Sequence, residues 1–203
     1  GTEAQKQQYL PRLNSGEWVG AHGMSEPDSG SDAFALRTTA TQEGEHWVLN
    51  GTKTFVSEAP VADVFVVFAT LDRGKGALGL TAFLVERDTP GFGVGKKIGK
   101  MGLRTSPMAE LFFDNCRLPA TALLGRAGRG VQIFNDSMEW ERACILASNL
   151  GTLERLIEDS VRYARERKQF GQAIGQFQAV SHKLADMRNR LEADRLLVDG
   201  RKL

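Results

Sequence analysis

A chain of 203 residues with 41% apolar residues can bury one large core or two smaller ones. Lysine plus arginine number 26 against 25 aspartate plus glutamate, and the net charge of +1 leaves no long-range field to steer nucleic acid or an anionic membrane. Cys116 and Cys144 lack both a Cys-x-x-Cys spacing and clustered histidines, so neither a disulfide framework nor a zinc site is supported, and no apolar run approaches membrane-spanning length.

Residues 1–13 carry the pattern of an amphipathic helix end and not of a signal or transit peptide, so the chain is expected to begin mid-protein. From residue 18 to about 118, short β-type runs alternate with turn residues: 47–51, 53–57, 63–70, 78–86 and 109–114. Asn50-Gly51 is a tight-turn signal and predicts a hairpin joining the first two of these runs. The glycine-rich stretch 72–79 precedes a strand and has no helix after it, which reads as a hairpin loop and not a phosphate loop.

After Leu118-Pro119 the pattern changes. No proline occurs from Gly130 onward and the apolar residues take helical spacing. Helices are expected over about 131–149, 153–167 and from 177 to near the end, with Gly151 and Phe170-Gly171 as breaks. Phe177, Val180, Leu184, Met187 and Leu191 form the seam of a helix packed on other helices.

Three segments are candidates for chemistry. Met24-Ser25-Glu26-Pro27-Asp28-Ser29-Gly30-Ser31-Asp32 follows a mostly apolar run and gathers hydroxyls and backbone NH groups in one turn, as a polar or ring-shaped ligand requires, although such residues also build ordinary surface turns. Glu141 shares a helix face with Phe134, Met138 and Ile145. A carboxylate among apolar neighbours is a better proton acceptor near neutral pH, whereas the plain alternative is an ion pair with a neighbouring helix. Glu139 falls on a different face. Arg165 to Gly171 places cations at a helix end, which complements the helix dipole or lets Arg167 grip a phosphate. His22, His46 and His182 have no evident ligand partners in the sequence.

Taken in order, these pieces resemble the acyl-CoA dehydrogenase family over essentially the whole chain. Ser25-Glu26-Pro27 followed by Gly30-Ser31-Asp32 is similar to the family's flavin-binding strand and turn, Asn50-Gly51-x-Lys53 leads into its second flavin strand, and Glu166-Arg167-Lys168-Gln169-Phe170-Gly171 is similar to its helix-end signature. Gln5-Lys6 and Tyr9-Leu10-Pro11 also resemble the segment before the middle domain.

The resemblance implies an α+β multi-domain fold: the end of an N-terminal helical domain over 1–16, a β-barrel-like middle domain over 17–123, and an incomplete up-and-down helical bundle over 124–203. It implies FAD, with His22, Met24, Ser25, Gly30 and Ser31 along the isoalloxazine and Phe55, Val56 and Ser57 covering another part of the ring, Ser57 near N5. Arg167, Gln169, Phe170, Phe177 and Gln178 would reach the FAD of a partner subunit, which requires a homodimer or homotetramer. Glu141 matches the position of the catalytic base in the isovaleryl-CoA and long-chain branches, and Ser31, Glu139, Trp140 and Arg142 would border the thioester and pantetheine.

The implied reaction is α,β-dehydrogenation of an acyl thioester, on CoA or on a carrier protein, with electrons passed to a flavoprotein acceptor. An oxygen-using oxidase and a non-catalytic flavin-binding or assembly subunit are the alternatives. The implied setting is bacterial cytoplasm or mitochondrial matrix, without nucleic-acid binding or membrane insertion. Asp28, His22, Phe55 and Glu58-Ala59 depart from the family's usual glycine, aromatic, tryptophan and Asn-Gly.

Overall fold

The structure, a computed structural model, describes residues 1–200 and divides into two compact units, one of residues 1–135 and one from Asp136 onward. The first opens with helix α1 (Glu3–Ser15). Thr2 and Gln5 cap it reciprocally, and the Gln5 side-chain amide also donates to the carbonyls of Thr121 and Leu123, at 2.8 and 2.9 Å. These bonds let a polar side chain lie buried and pin the helix to the end of the β structure.

Eight strands follow in one mixed sheet: β1 (Gly20–Gly23), β2 (Thr39–Glu43), β3 (His46–Ser57), β4 (Val64–Thr70), β5 (Leu80–Glu86), β6 (Phe92–Val94), β7 (Met108–Pro119) and β8 (Leu123–Leu124). Their order is β6-β7-β3-β2-β4-β5-β8, and β1 lies parallel along the first half of β4. The expected hairpin loop over 72–79 does join the antiparallel strands β4 and β5.

Strand β4 explains why the sheet has a core on each side. Phe65, Val67 and Ala69 enter one apolar cluster with Trp47, Leu49, Phe83 and Leu111, while Val66 and Phe68 face a second with Met24, Leu36, Leu80 and Ala82. A strand covered on both faces reads as a continuous apolar run, and its period of two sorts alternate residues to the two sides.

Asn50-Gly51 does not make the predicted hairpin. β3 runs straight through it, and the turn between β2 and β3 falls at Gly44-Glu45. Gly51 has φ +149, and a Cβ there would lie 2.5 to 2.8 Å from Thr38. The pair serves as an irregularity instead of a turn: the register of β3 on β7 shifts between Leu49 and Gly51, and the Asn50 side chain accepts from the Asn115 amide at 2.7 Å. Gly51→Ala is expected to cost about 3 kcal/mol or more from the clash and the backbone strain together, read as a fall in thermal unfolding midpoint.

Helix α2 (Gly130–Glu166) begins in the first unit, where Val131, Ile133 and Phe134 pack on the second cluster, and continues into the second unit. It is one helix, where two were expected with a break at Gly151. A single glycine weakens a helix by about 1 kcal/mol relative to alanine and does not by itself end one. The second unit continues with a small hairpin, β9 (Lys168–Gln169) and β10 (Gln172–Ala173), and helix α3 (Gln178–Asp199). Leu191 of the predicted seam is buried, Val180, Leu184 and Met187 are half-buried, and Arg195 of α3 reaches Glu154 of α2 at 2.6 Å. No helix among the described residues is long and apolar enough to cross a membrane.

Candidate active site

The turn after β1 is built around one buried carboxylate. Glu26 accepts from the backbone amides of Arg37 at 2.6 Å and Thr38 at 3.1 Å, and from the Lys53 ammonium at 2.7 Å. Lys53 lies on β3, is completely buried, and donates also to the Met24 carbonyl at 3.1 Å. Backbone bonds between Glu26 and Ser29 close the turn in both directions, and the Ser29 hydroxyl donates to the Asp32 carbonyl at 2.8 Å. Gly30, Ser31 and Asp32 are left at the surface, and a Cβ on Gly30 would meet nothing within 4 Å.

Beside this turn, β3 carries a second irregularity. Between Lys53 and Val56 it spends one residue more than β7 does, so that Lys53 and Val56, an odd number of positions apart, both point inward. The side chain displaced by the bulge is Phe55, which takes φ +55 and is 63% exposed, with Ser57 exposed two residues on. Left-handed backbone at a bulky residue costs about 1–3 kcal/mol, and strain of this kind clusters at functional sites. An outward aromatic held under strain next to an open, hydroxyl-rich turn suits a planar ring system with polar edges. A backbone bond from the Thr54 amide to the Ser25 carbonyl, 2.9 Å, joins the turn to the bulge.

The predicted residues of this unit therefore fall into two groups. Ser25, Gly30, Ser31, Phe55 and Ser57 lie on the turn and the bulge, and His22 is an exposed residue of β1 with its ring 5.2 Å from that of Phe68. Met24 and Val56 turn their side chains into the cores, at 7% and 2% exposure, so only their backbones are available to a ligand. Thr38 and the Glu26–Lys53 pair, the framework of the site, were not among the expected site residues. A lysine within an alternating strand, at an inward position, is the signal that could have found them.

Electrostatics of the pair follow from burial. Desolvation pulls the Lys53 ammonium down to about 8, with Glu26 offsetting part of it. For Glu26, burial alone would push the carboxyl up, but the charge and hydrogen bond of Lys53 and the bonds from Thr38 and Arg37 outweigh it and hold it below the usual 4.5. Both groups are therefore charged at neutral pH. A carboxyl with a depressed folded-state value contributes stability that is complete above its unfolded value and is lost as pH falls through the folded one. Thermal melts are expected to show the unfolding midpoint dropping as pH falls below about 4.5, with a shallower slope in Glu26→Gln.

In the second unit, Glu139, Trp140, Glu141 and Arg142 are all exposed, Trp140 by 74%. Glu141 was expected among apolar neighbours. Met138 is half-buried but Ile145 is 60% exposed, so the described residues do not enclose that carboxylate. At the end of α2 the Arg167 amide donates to the Tyr163 carbonyl, and the β9–β10 hairpin turns through Phe170 at φ +52 and Gly171 at φ +80. This turn presents Phe170 with 93% exposure, edge-on to Phe177 with ring centres 6.1 Å apart, while Arg167, Gln169 and Gln178 are exposed around it. Of the two cysteines, Cys116 is buried, which pushes its thiol up to about 11, and Cys144 is exposed.

The acyl-CoA dehydrogenase middle domain matches residues 21–116, and the acyl-CoA dehydrogenase C-terminal domain matches residues 128–200. An L-prolyl-[peptidyl-carrier protein] dehydrogenase of Pseudomonas fluorescens is 44% identical over 97% of this chain, and the mitochondrial isovaleryl-CoA dehydrogenase of Pongo abelii is 41% identical over 98%. The chain spans about half the length of these relatives, 52% and 47%. Among solved structures, the prolyl acyl carrier protein oxidase AnaB superposes with a TM-score of 0.95 at 50% identity, covering 99% of this chain and 53% of that one. PigA with FAD and proline superposes with a TM-score of 0.93 at 42% identity, covering 98% and 52%. With both domains matched along most of its length and relatives above 40% identity across nearly all of it, the chain belongs to the acyl-CoA dehydrogenase family.

Proposed function

We propose that the protein binds FAD against the turn at residues 24–32 and the bulge at 55–57, and that it dehydrogenates an acyl thioester between its α and β carbons. The observation that carries this is the strained, outward Phe55 joined to the hydroxyl-bearing turn by the Thr54–Ser25 bond, in a fold shared with PigA, whose structure holds FAD. FAD supplies the acceptor for the hydride that leaves the β carbon. Ser25, Gly30, Ser31 and Ser57 offer hydroxyls and open backbone to the polar edges of the ring, and Phe55 offers its face. Arg167, Gln169, Phe170, Phe177 and Gln178 complete the cofactor site of a second subunit, which makes the protein at least a dimer.

Glu141 removes the α-proton. A thioester α-proton is too weakly acidic for a carboxylate unless the negative charge developing on the carbonyl is stabilised as it forms, so proton removal and hydride loss assist one another. Glu139, Trp140 and Arg142 border the thioester, and Ser31 the pantetheine arm. The carrier of the acyl group is CoA or a carrier protein, the second being the substrate type named for the prolyl relatives. A separate flavoprotein takes the electrons.

The test is anaerobic mixing of the full-length protein with acyl thioesters. Purified protein is expected to show flavin absorbance that bleaches with substrate, and protein that stays colourless after reconstitution with FAD would overturn the proposal. Running CoA-bound and carrier-bound prolyl and aliphatic acyl groups side by side assigns the carrier. The likeness to the oxidase AnaB favours one variant of this reading, in which oxygen reoxidises the flavin. Oxygen consumption without an added acceptor would establish it.

A further inference from the structure

We propose that the buried Lys53–Glu26 pair is the positioning device of the flavin site, setting the turn after β1 and the bulge of β3 at one fixed separation. The inference rests on the placement of FAD proposed above. The sheet itself does not supply this alignment: β1 is paired to β4, and β3 to β2 and β7. Besides the pair, among the described residues the one backbone bond between the two flavin-facing segments is that from Thr54 to Ser25.

Lys53 supplies the rest. Its ammonium holds the turn on either side of Ser25, through the Met24 carbonyl and the Glu26 carboxylate, and it stands two residues before Phe55. Glu26 in turn is fixed by the amides of Arg37 and Thr38, which lead into β2. Three segments thus meet at one ion pair, with Lys53 0% and Glu26 3% exposed in their side chains. A Cβ on Gly23 would lie 3.2 Å from Leu111 Cδ1, tighter than usual packing, and in ordinary contact, 3.5 Å, with Lys53 Cγ, so the lysine stem runs close along the β1 backbone. An apolar pair of similar volume fills such a space with little loss of stability. What the charged pair adds is direction, because its hydrogen bonds accept one geometry only.

The decisive comparison in the full-length holoenzyme is Lys53→Met combined with Glu26→Gln. A role in stability alone predicts a folded double variant with wild-type flavin properties. A positioning role predicts an unfolding midpoint within a few degrees of wild type, an FAD dissociation constant raised about tenfold or more, and a shifted visible spectrum of the bound flavin. Wild-type affinity and spectrum in the folded double variant would overturn the inference. Should the double variant not fold, Glu26→Gln alone decides, because a glutamine oxygen turned to the Arg37 and Thr38 amides keeps those contacts, while its NH2 group, a donor like the ammonium, gives up the bond to Lys53. Loosened flavin in that variant supports the inference, and unchanged flavin overturns it. Failure of the underlying placement gives a different result: Phe55→Ala and Ser57→Ala would then leave FAD affinity and spectrum untouched.

Discussion

Glu141→Gln in the full-length protein is expected to lower the rate of flavin reduction by substrate by about 100- to 10,000-fold, with FAD binding and thermal stability unchanged. Glutamine keeps the size of the side chain and much of its hydrogen bonding while removing the proton acceptor. The carboxylate lies on α2, in a different compact unit from the turn and the bulge, and forms no part of either, so cofactor content isolates the chemical step. Stopped-flow bleaching of the flavin under anaerobic conditions measures it. Reduction at near wild-type rate would assign the base to another residue.

Lys53→Met alone is expected to destabilise the protein by about 3–5 kcal/mol, the usual cost of leaving one member of a buried pair uncompensated. Glu26 would then be a carboxylate with 3% side-chain exposure and two backbone amides as its remaining recorded partners. Denaturant unfolding reads the loss, and most of it should be recovered when Glu26→Gln is added. The contrast between single and double variants separates the stability of the pair from its effect on flavin.

The β and α halves, the hairpin loop over 72–79 and the helical seam were legible because each rests on local chemistry: turn residues, a period of two, a period near 3.6. Asn50-Gly51 misled because the dipeptide records only that the backbone departs from regular form. Whether the departure becomes a turn or a bulge depends on Asn115, 65 positions away, and on the approach of Thr38. Gly151 misled in the opposite sense, since the helix around it is long enough to absorb one weak residue.

The site residues show the same division. The resemblance pointed to Phe55, Ser57 and the turn as a ligand surface, and the structure adds the bulge and the strained backbone that bring them outward. The residues beneath them were hidden, because Lys53 and Glu26 look like two ordinary charges 27 positions apart until the fold brings them to 2.7 Å. Burial of Glu141 was inferred from helix periodicity, which reports which residues share a face and not whether anything covers it.

The two irregularities along β3 and β7 have opposite sense. Near Asn50 the extra residue is on β7, and near Phe55 it is on β3, so His46 faces Pro119 and Ser57 faces Met108 with eleven steps between them on each strand. One insertion cancels the other, and the far end of the ribbon returns to the frame in which it began. A one-residue deletion at either bulge would therefore leave Ser57 out of step with Met108, whereas matched deletions at both would restore the frame and remove the outward aromatic. Length changes in these two strands are thus coupled through their shared register.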